Sequence, residues 1–348
     1  MSHLLDRPPY SARDHGAFLA EMQRLTRHHL DGCETYARIW PKWRGAATAE
    51  ELPFLHVDLF KRLEFRTRAE GSIHERTLRS SSTSGSEASR IVLDSLSSRL
   101  QARSALAILT DMVGDRKRPL LVLDDARALR QRGVLSARVA AAMSLSPLAT
   151  GIHFLLSDAD NTASMKWDLL AEVLDSADDF LVYGFSSILW QAWGAAAMPE
   201  NVRTLLRGKK VHFVHSGGWK KLEALRVERP KFDHTLTRDL HPDSRVVDYY
   251  GMVEQVGVIY PLCEHGMRHV PVWAEVLVRD PYTLRAIEDQ PGQIQLMNVL
   301  AHGAPYHSVL SEDMGRIASG GCPCGRSGKR FELLGRMPHA GLRGCANV

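Results

Sequence analysis

Four short apolar runs, separated by segments with helical spacing, occupy the middle of this 348-residue chain. Each run is bounded by polar or turn-forming residues, which is typical of a buried strand; the four are RPLLVLDD, GIHFLLSD, DDFLVYGF and KKVHFVHS. Helices are predicted between and around them, over Arg132–Met143, Trp167–Leu174 and Ser187–Ala197. Strands that alternate with helices predict an α/β fold built on a largely parallel sheet.

The regions on either side of this core differ in pattern. Residues 1–75 have mainly helical apolar spacing, so we expect a helical N-terminal region there. From Trp273 onward, WAEVLVRDP and GQIQLMNVL predict successive strands joined by a turn. We therefore expect an α/β core over residues 76–260, a β-rich subregion over residues 261–336 and a mobile tail over residues 337–348.

The balance of charge argues against a nucleic-acid partner. The chain carries 44 basic and 40 acidic residues, a formal net charge of +4, whereas nucleic-acid binding favours a concentrated basic stripe. No apolar run approaches the roughly 18 residues of a membrane span. The first residues, MSHLLDRPPY, lack the apolar stretch of a signal peptide. We expect a cytoplasmic protein without a membrane or nucleic-acid partner.

A stretch of small hydroxyl residues, SSSTSGSEASR, precedes the first predicted core strand. It has no bulk to bury, and its glycine allows close approach of the backbone to a ligand. Such a loop can present N–H groups and hydroxyls to a phosphate. A flexible linker or turn is the alternative. The candidate phosphate-binding residues are Ser81, Ser82, Thr83, Ser84, Gly85 and Ser86.

Two further motifs follow predicted strands. HSGGWKKLE contains the pair Gly217 and Gly218, which would let backbone approach a flat ligand or a phosphate. In VVDYYGMVEQVG, Tyr250 is expected at the carboxyl end of a strand, with a tight turn at Gly251 and Glu254 in the first helical turn. The ring could stack on a base and the carboxylate could hold Mg²⁺. The alternatives are an ordinary turn, a core aromatic residue and a glutamate favoured by the helix dipole.

An acidic pair lies further along, in HSVLSEDMGRI. Glu312 and Asp313 follow an apolar strand and come just before a glycine. A carboxylate at this place could accept both hydroxyls of a ribose. A solvated acidic turn is the alternative, and it is the commoner position for such a pair.

Cysteine and histidine residues concentrate in two stretches. The chain has 5 cysteines, an odd number that favours thiol or metal chemistry over a disulfide framework. The knuckle GCPCGRSGK holds Cys322 and Cys324, and CEHGMRH adds Cys263, His265 and His269. Three thiolates and one imidazole form a structural Zn²⁺ set. Free thiols in a β-rich loop are the alternative; a zinc ribbon for nucleic acid is another, although little basic or aromatic patterning surrounds the knuckle.

The chain ends in LRGCANV, which places Cys345 three residues from the last one. Chain ends are usually mobile, and the neighbouring Arg343 would favour the thiolate. A thiol on a mobile tail could leave one site and reach another. An incidental exposed cysteine is the alternative.

Together these motifs resemble the adenylate-forming superfamily of acyl-CoA synthetases in type and in order. Within it, the strongest resemblance is to the bacterial bioluminescence acyl-protein synthetases (long-chain-fatty-acid–protein ligases), with the phenylacetate–CoA ligases next. The resemblance extends from about Ser80 to Cys345 and rests on SSSTSGSEASRIVLD, GGWKKLE, YYGMVEQVGVIYPLCEHGMRHVPVWAEVLVRDP, SVLSEDMG, CPCGRSGKRFELLGR and LRGC.

The resemblance implies a role for each matching position. The loop Ser81–Ser86 would bind the ATP phosphates, and Gly217, Gly218 and Tyr250 with Gly251 would frame the adenine. Glu254 would hold Mg²⁺, Asp313 would bind the ribose, and Arg336 would bind the ribose or phosphate edge. Cys345 matches the acyl-accepting cysteine, with Glu254 and Arg336 as the other catalytic residues. Cys263, His269, Cys322 and Cys324 match a metal-like cluster of this branch.

The resemblance also implies a fold. We expect the N-terminal-domain fold of the superfamily, with stacked mixed and parallel sheets, nucleotide and acyl binding in residues 76–260, and a β-rich subregion with the Cys/His cluster. GFSSILWQAWGAA, from Gly184, is predicted to line part of the acyl pocket. Only residues 337–348 follow Arg336, far fewer than the ~50 that a further domain needs. We therefore expect the superfamily's mobile C-terminal domain, with its catalytic lysine, to be absent.

The implied function is activation of a carboxylic acid, fatty or aryl, as an acyl-adenylate with ATP and Mg²⁺. Transfer to a thiol would follow, either to Cys345 or to a partner such as an acyl-accepting reductase or carrier protein. One alternative is a ligase that joins a small acid to an amine, CoA or a carrier protein. Another is a noncatalytic, zinc-stabilised binding module, favoured by the loop sequence Ser-Thr-Ser-Gly where relatives usually show Gly-Thr-Thr-Gly.

Overall fold

The computed structural model describes residues 3–69, 71, 73–79, 88–127, 134–217, 219 and 224–337. The chain divides into two compact units, one formed by residues 1–71 with 264–348 and the other by residues 72–263. The domain boundaries expected from the sequence stay a prediction. Among the described residues, no helix combines the length and the apolar character needed to cross a membrane.

The elements of the described residues are numbered along the chain. The strands are β1 (Leu55–His56), β2 (His74–Arg79), β3 (Arg90–Asp94), β4 (Arg118–Val122), β5 (Val134–Ser136), β6 (Ala149–Phe154), β7 (Asp179–Phe185), β8 (Lys210–Ser216), β9 (Arg245–Tyr250), β10 (Tyr260–Pro261), β11 (Arg268–His269), β12 (Ala274–Arg279), β13 (Ala286–Ile287), β14 (Gly292–Asn298), β15 (Ser308–Ala318) and β16 (Arg330–Arg336). The α-helices are α1 (His15–Gly32), α2 (Glu34–Ile39), α3 (Leu59–Arg62), α4 (Ser95–Val113), α5 (Ala137–Met143), α6 (Trp167–Asp175), α7 (Ser186–Leu189), α8 (Glu200–Leu206) and α9 (Arg229–Thr237).

A six-stranded sheet forms the centre of the unit 72–263. Its order is β10-β9-β8-β7-β4-β6. All neighbours are parallel except β10, which is antiparallel to β9. The register places Phe185 opposite Ser216 and Ser216 opposite Tyr249, so three central strands end at the same edge. The predicted α/β fold with a largely parallel sheet is confirmed.

Both faces of this sheet are covered by helices, which explains why its strands are apolar throughout. Alternate residues of a strand point to opposite faces. Phe180 and Val182 of β7 therefore pack in a core with α6, α8 and α9. Leu181 and Tyr183 of the same strand pack in a second core with α4 and α5.

One helix begins later than its sequence predicts. Alanine-rich spacing predicts a helix over Arg132–Met143, whereas α5 begins at Ala137. The preceding residues Val134–Ser136 form β5, which pairs in parallel with β2 in a three-stranded sheet, β3-β2-β5. Backbone hydrogen bonding to a distant strand overrides the local helical preference there.

A largely antiparallel sheet forms the centre of the other unit. Its order is β11-β16-β15-β14-β12-β13, and β1 joins β15 in parallel. The two strands predicted after Trp273 correspond to β12 and β14, which pair antiparallel over six residues each. Every residue of β12 and β14 is buried. The predicted β-rich subregion is thus a sheet whose central strands are covered on both faces.

A buried histidine pair joins helix α1 to the loop before β15. His29 Nε2 donates to the Ala301 carbonyl at 2.9 Å, so its Nδ1 accepts from the Thr67 hydroxyl at 2.7 Å. His307 lies 4.7 Å away, centroid to centroid, and its Nε2 is 3.0 Å from Thr26 Oγ1. Burial lowers the pKa of His307 to about 3 and, together with the neighbouring His307, lowers the pKa of His29 well below its usual value.

Acidification is therefore expected to destabilise the folded protein. Both histidines stay neutral when folded, while the unfolded chain binds a proton at each below pH ~6.5. The contribution of the two histidines to the free energy of unfolding should be fully present above that pH. It should fall by about 1.4 kcal/mol per histidine per pH unit below about pH 6. Urea unfolding at pH 7.5 and 5.5 measures this loss. His307→Asn should reduce the pH dependence, whereas His3→Gln, which alters an exposed side chain, should not; equal dependence in all three proteins would contradict the assignment.

Candidate active site

The carboxyl edge of the parallel sheet carries several of the predicted residues. Tyr250 is the last residue of β9, and its ring lies 6.1 Å from that of Tyr260. The chain turns at Gly251, where an added Cβ would lie 3.3 Å from Ile259 Cγ2. Ligands bind at this edge in open α/β sheets. The predicted position of Tyr250 at a strand end thus agrees with the structure, while its role stays a prediction.

Glu254 lies on a short 3-10 turn, Val253–Gln255, three residues beyond that edge. Its side chain is buried, with 5% of the residue exposed. The turn is anchored to α4, because Ser104 Oγ donates to the Gly257 carbonyl at 2.6 Å. Gly257 has φ +83°, and an added Cβ there would lie 2.5 Å from Gln101 Cα. Only glycine fits this close approach, so the backbone just beyond the turn packs directly against α4.

Gly217 directly follows β8, the strand that pairs with β9 and so lies beside Tyr250. It has φ +81°, and an added Cβ would contact the Phe185 ring at 3.7 Å. Because Ser216 is paired with Tyr249, Gly217 and Tyr250 follow paired residues and lie at the same edge. The structure therefore brings together one glycine of the predicted pair and the predicted aromatic residue.

Asp313 and Arg336 are paired in the other unit. They are opposite each other in the register of β15 and β16, and Arg336 Nε lies 3.9 Å from Asp313 Oδ1. The Asp313 side chain is 21% exposed, and that of Arg336 is 76% exposed. Asp313 lies within the eleven-residue strand β15. The prediction that the acidic pair follows the strand is therefore wrong, and so is the alternative of a solvated turn. The strand continues because β14 and β16 hydrogen-bond to both of its edges.

The cysteine and histidine residues form a compact cluster. One donor atom from each of four residues lies within 4.8 Å of the other three; the residues are Cys263, His269, Cys322 and Cys324. The distance from Cys324 Sγ to His269 Nε2 is 3.2 Å. In a tetrahedral zinc site the ligand atoms are about 3.3–3.8 Å apart, given Zn–S near 2.3 Å and Zn–N near 2.0 Å. The donor set therefore fits Zn²⁺. Of the two candidate histidines, His269 belongs to this set.

The N-terminal segment packs against this cluster, which the sequence did not indicate. The Tyr10 ring meets the His269 ring edge-on at 5.9 Å, and the Arg326 guanidinium lies over Tyr10 at 5.7 Å. The Tyr10 carbonyl accepts from Ser327 N at 3.1 Å, and the Pro9 carbonyl accepts from Val272 N at 2.8 Å. No motif in MSHLLDRPPY marks these contacts, because they depend on strands far along the chain.

Several predicted residues lie outside the described residues. They are the phosphate-loop candidates Ser81, Ser82, Thr83, Ser84, Gly85 and Ser86, the second glycine Gly218, and the acyl-accepting candidate Cys345. Their roles stay predictions.

Sequence reasoning missed one polar residue at the carboxyl edge. Ser186 begins α7 directly after β7, and its hydroxyl lies 2.8 Å from the Gly217 carbonyl. The stretch that contains it was expected to line an acyl pocket. A serine 31 residues before the glycine it contacts has no local signal, since only the parallel pairing of β7 and β8 brings the two together.

Comparison with solved structures identifies the fold. A crystal structure of 2-hydroxyisobutyryl-CoA ligase in an open conformation, with 2-HIB-AMP and CoA, matches with a TM-score of 0.65. The match covers 92% of this chain and 69% of the ligase at 16% identity. The same ligase in its postadenylation state matches with a TM-score of 0.65 at 15% identity, over 93% of this chain and 68% of that one. The expected fold, that of an adenylate-forming ligase, is confirmed.

The family follows from the sequence comparison. The model of the acyl-protein synthetase family, LuxE, matches residues 15–348, so the chain belongs to this family. Two relatives are named long-chain-fatty-acid–luciferin-component ligase. The one from Aliivibrio fischeri is 28% identical over 153 residues, 43% of this chain, and the one from Vibrio harveyi is 27% identical over 152 residues, also 43%. The matched region spans 40% and 39% of the length of these ligases.

Proposed function

We propose that this protein activates a long-chain fatty acid with ATP and transfers the acyl group to a thiol. The observation that carries the proposal is the position of Tyr250 and Glu254. Tyr250 is the last residue of a strand at the carboxyl edge of a parallel sheet, and Glu254 is buried on the turn that follows, which is anchored to α4. Membership of the acyl-protein synthetase family and the names of the two relatives support the acid and the acceptor class.

The proposed reaction has two steps. In the first, a carboxylate oxygen of the acid attacks the α-phosphorus of ATP; a P–O bond forms and the bond to pyrophosphate breaks. In the second, a thiolate attacks the acyl carbon of the adenylate, and AMP leaves with the electrons of the C–O bond. Activation is needed because a carboxylate has no good leaving group.

Each predicted site residue has a role in this scheme. Gly217 and Tyr250 would bind the adenine, one by close backbone approach and the other by stacking. Glu254 would hold Mg²⁺, which when bound neutralises phosphate charge during the first step. Asp313 would accept the ribose hydroxyls, and Arg336, already paired with it, would orient that carboxylate or bind phosphate.

Release of pyrophosphate in the presence of different acids tests the proposal. We expect pyrophosphate release to depend on the added acid. The rate should be highest with long-chain fatty acids and lower with aryl and short-chain acids. If pyrophosphate release is fast only with an aryl acid, the substrate is an aromatic acid and not a fatty acid. Failure of every acid to raise release above background would contradict the enzyme and favour the noncatalytic module.

We infer that the Cys/His cluster holds a structural Zn²⁺. Its four donors match the composition and spacing of a closed tetrahedral site. The metal would connect β11 and the loop before β16, both of which contact the N-terminal segment through His269 and Ser327. A structural role follows, because a set of four protein ligands leaves no position open for a substrate.

Zinc content and proteolysis test this inference. Elemental analysis of protein purified without chelator is expected to give about one zinc per chain. Cys324→Ser should lose the metal and expose the peptide bond after Arg13, whose side chain is buried against Glu275, to trypsin. Cys33→Ala, which changes a buried cysteine outside the cluster, should keep the metal. Reduced, chelator-free wild-type protein without stoichiometric zinc would overturn the assignment.

A further inference from the structure

Two buried polar side chains hold the backbone at Gly217. Ser186 Oγ lies 2.9 Å from His215 Nδ1, 2.8 Å from the Gly217 carbonyl oxygen and 3.2 Å from the Ser216 carbonyl oxygen. Ser186 is 6% exposed and His215 is 4% exposed. Gly184 and His215 are partners in the register of β7 and β8, so the contact follows directly from strand pairing. We call Ser186 and His215 the Ser–His latch.

The direction of these hydrogen bonds can be assigned from the donors available. A serine hydroxyl has one proton, and a carbonyl oxygen can only accept. The Ser186 proton therefore goes to the Gly217 carbonyl, its shortest contact, so the oxygen of Ser186 is left to accept. His215 must then donate from Nδ1, which selects the Nδ1–H form of its ring.

The ring of His215 is itself held in place. Its centroid lies 5.0 Å from that of Phe232, which stacks on Trp190 at 5.8 Å and meets Trp219 edge-on at 6.4 Å. This aromatic packing fixes the imidazole, the imidazole orients the Ser186 hydroxyl, and the hydroxyl fixes the peptide carbonyl of Gly217. A glycine can adopt many backbone conformations, and Gly217 has a φ of +81°. The hydrogen bond from Ser186 favours this conformation over the others.

We propose that Ser186 and His215 are positioning residues for the nucleotide, acting through the backbone at Gly217. This inference rests on the proposed function, in which the glycine pair approaches the adenine. The latch lowers the entropic cost of ATP binding by holding that backbone in one conformation before ATP arrives. Because the Ser186 hydroxyl is directed to His215 and to the Gly217 carbonyl, its loss should weaken ATP binding more than acid binding.

Steady-state kinetics of matched variants test the latch. Ser186→Ala leaves the Gly217 carbonyl without its donor and is expected to raise KM for ATP about 5- to 50-fold. The KM for the acid should change less than about twofold, since the latch does not contact it in this scheme. Ser176→Ala, at an exposed position before β7 and away from the carboxyl edge, is the control and should behave like wild type.

Two substitutions at His215 separate hydrogen bonding from packing. The amide of His215→Asn can donate from near the Nδ1 position, so this variant should retain ATP affinity close to wild type. The longer His215→Gln places its amide nearer the Nε2 position and should resemble Ser186→Ala. Ser186→Thr keeps a hydroxyl and should rescue ATP binding, and this comparison stays informative if Ser186→Ala fails to fold. Calorimetry with ATP and a thermal melt on each variant complete the set.

The outcomes distinguish the latch from the function on which it rests. Wild-type protein without acid-dependent pyrophosphate release overturns both. Active wild type together with an unchanged KM for ATP in Ser186→Ala overturns the latch alone. Equal rises in KM for ATP and for the acid, accompanied by a lower melting temperature, would assign Ser186 a structural role and also overturn it.

Discussion

Glu254→Gln is expected to lower the rate of pyrophosphate release by about 10²–10³-fold or more. Losses of this size are typical when an enzyme loses one group that stabilises the charge developing in the transition state. The substitution keeps the size of the side chain and removes only its charge. Because the residue is buried on a turn anchored to α4, the glutamine should occupy the same place. The loss would therefore report on Mg²⁺ binding and charge, and not on a rearranged backbone.

Carboxylate-dependent exchange of pyrophosphate into ATP measures this step directly. A titration of Mg²⁺ should show that the variant needs a higher concentration for any residual activity. Glu172→Gln, on the exposed face of α6 in the same unit, is the matched control and should exchange at the wild-type rate. Wild-type exchange in Glu254→Gln would remove Glu254 from the site.

Cys345→Ser is expected to eliminate the acylated form of the protein and to leave adenylate formation intact. The thiolate is the reactive form of cysteine, with a free pKa of about 8.5, whereas a serine hydroxyl stays protonated near neutral pH. The variant should exchange pyrophosphate normally while its intact mass shows no added acyl group. Measuring the two half-reactions separately distinguishes the residue that accepts the acyl group from the residues that form the adenylate.

Intact-protein mass spectrometry after incubation with ATP, Mg²⁺ and a fatty acid provides the measurement. The wild type should gain the mass of the acid minus water, and neutral hydroxylamine should remove it, as expected for a thioester. Cys33→Ala serves as the cysteine control and should label fully. Undiminished labelling of Cys345→Ser would rule out Cys345 as the acyl acceptor. Rapid turnover with CoA, an amine or a carrier protein as the acceptor would favour the alternative ligases.

The two half-reactions place different demands on the chain. In the proposed scheme, adenylate formation needs groups that are held still, and the carboxyl edge would supply them through the turn at Gly257 and the latch at Gly217. Acyl transfer needs a nucleophile that can reach the adenylate and then present the thioester to an acceptor. We therefore expect variants of Ser186, His215 and Glu254 to alter the first step and variants of Cys345 to alter only the second.

Local pattern was sufficient for the central strands and for the order of the motifs. The strands β4, β6, β7 and β8 were predicted because buried strands are uniformly apolar, and α6 was predicted from its helical spacing. Tyr250 was singled out because it ends an apolar strand, and Glu254 because it follows the turn glycine Gly251. All of these signals lie within about ten residues of the feature that they predict.

Contacts between distant residues were decided by the tertiary structure. Pairing with β2 converts Val134–Ser136 from helix to strand, and pairing with β14 and β16 keeps Asp313 in a strand. Sheet register likewise brings Ser186 to Gly217, and the pairing of β11 with β16 brings His269, and not His265, to the metal cluster. The physical reason is common to all four cases. Backbone hydrogen bonds between strands specify which distant residues become neighbours, and no short stretch of sequence contains that information.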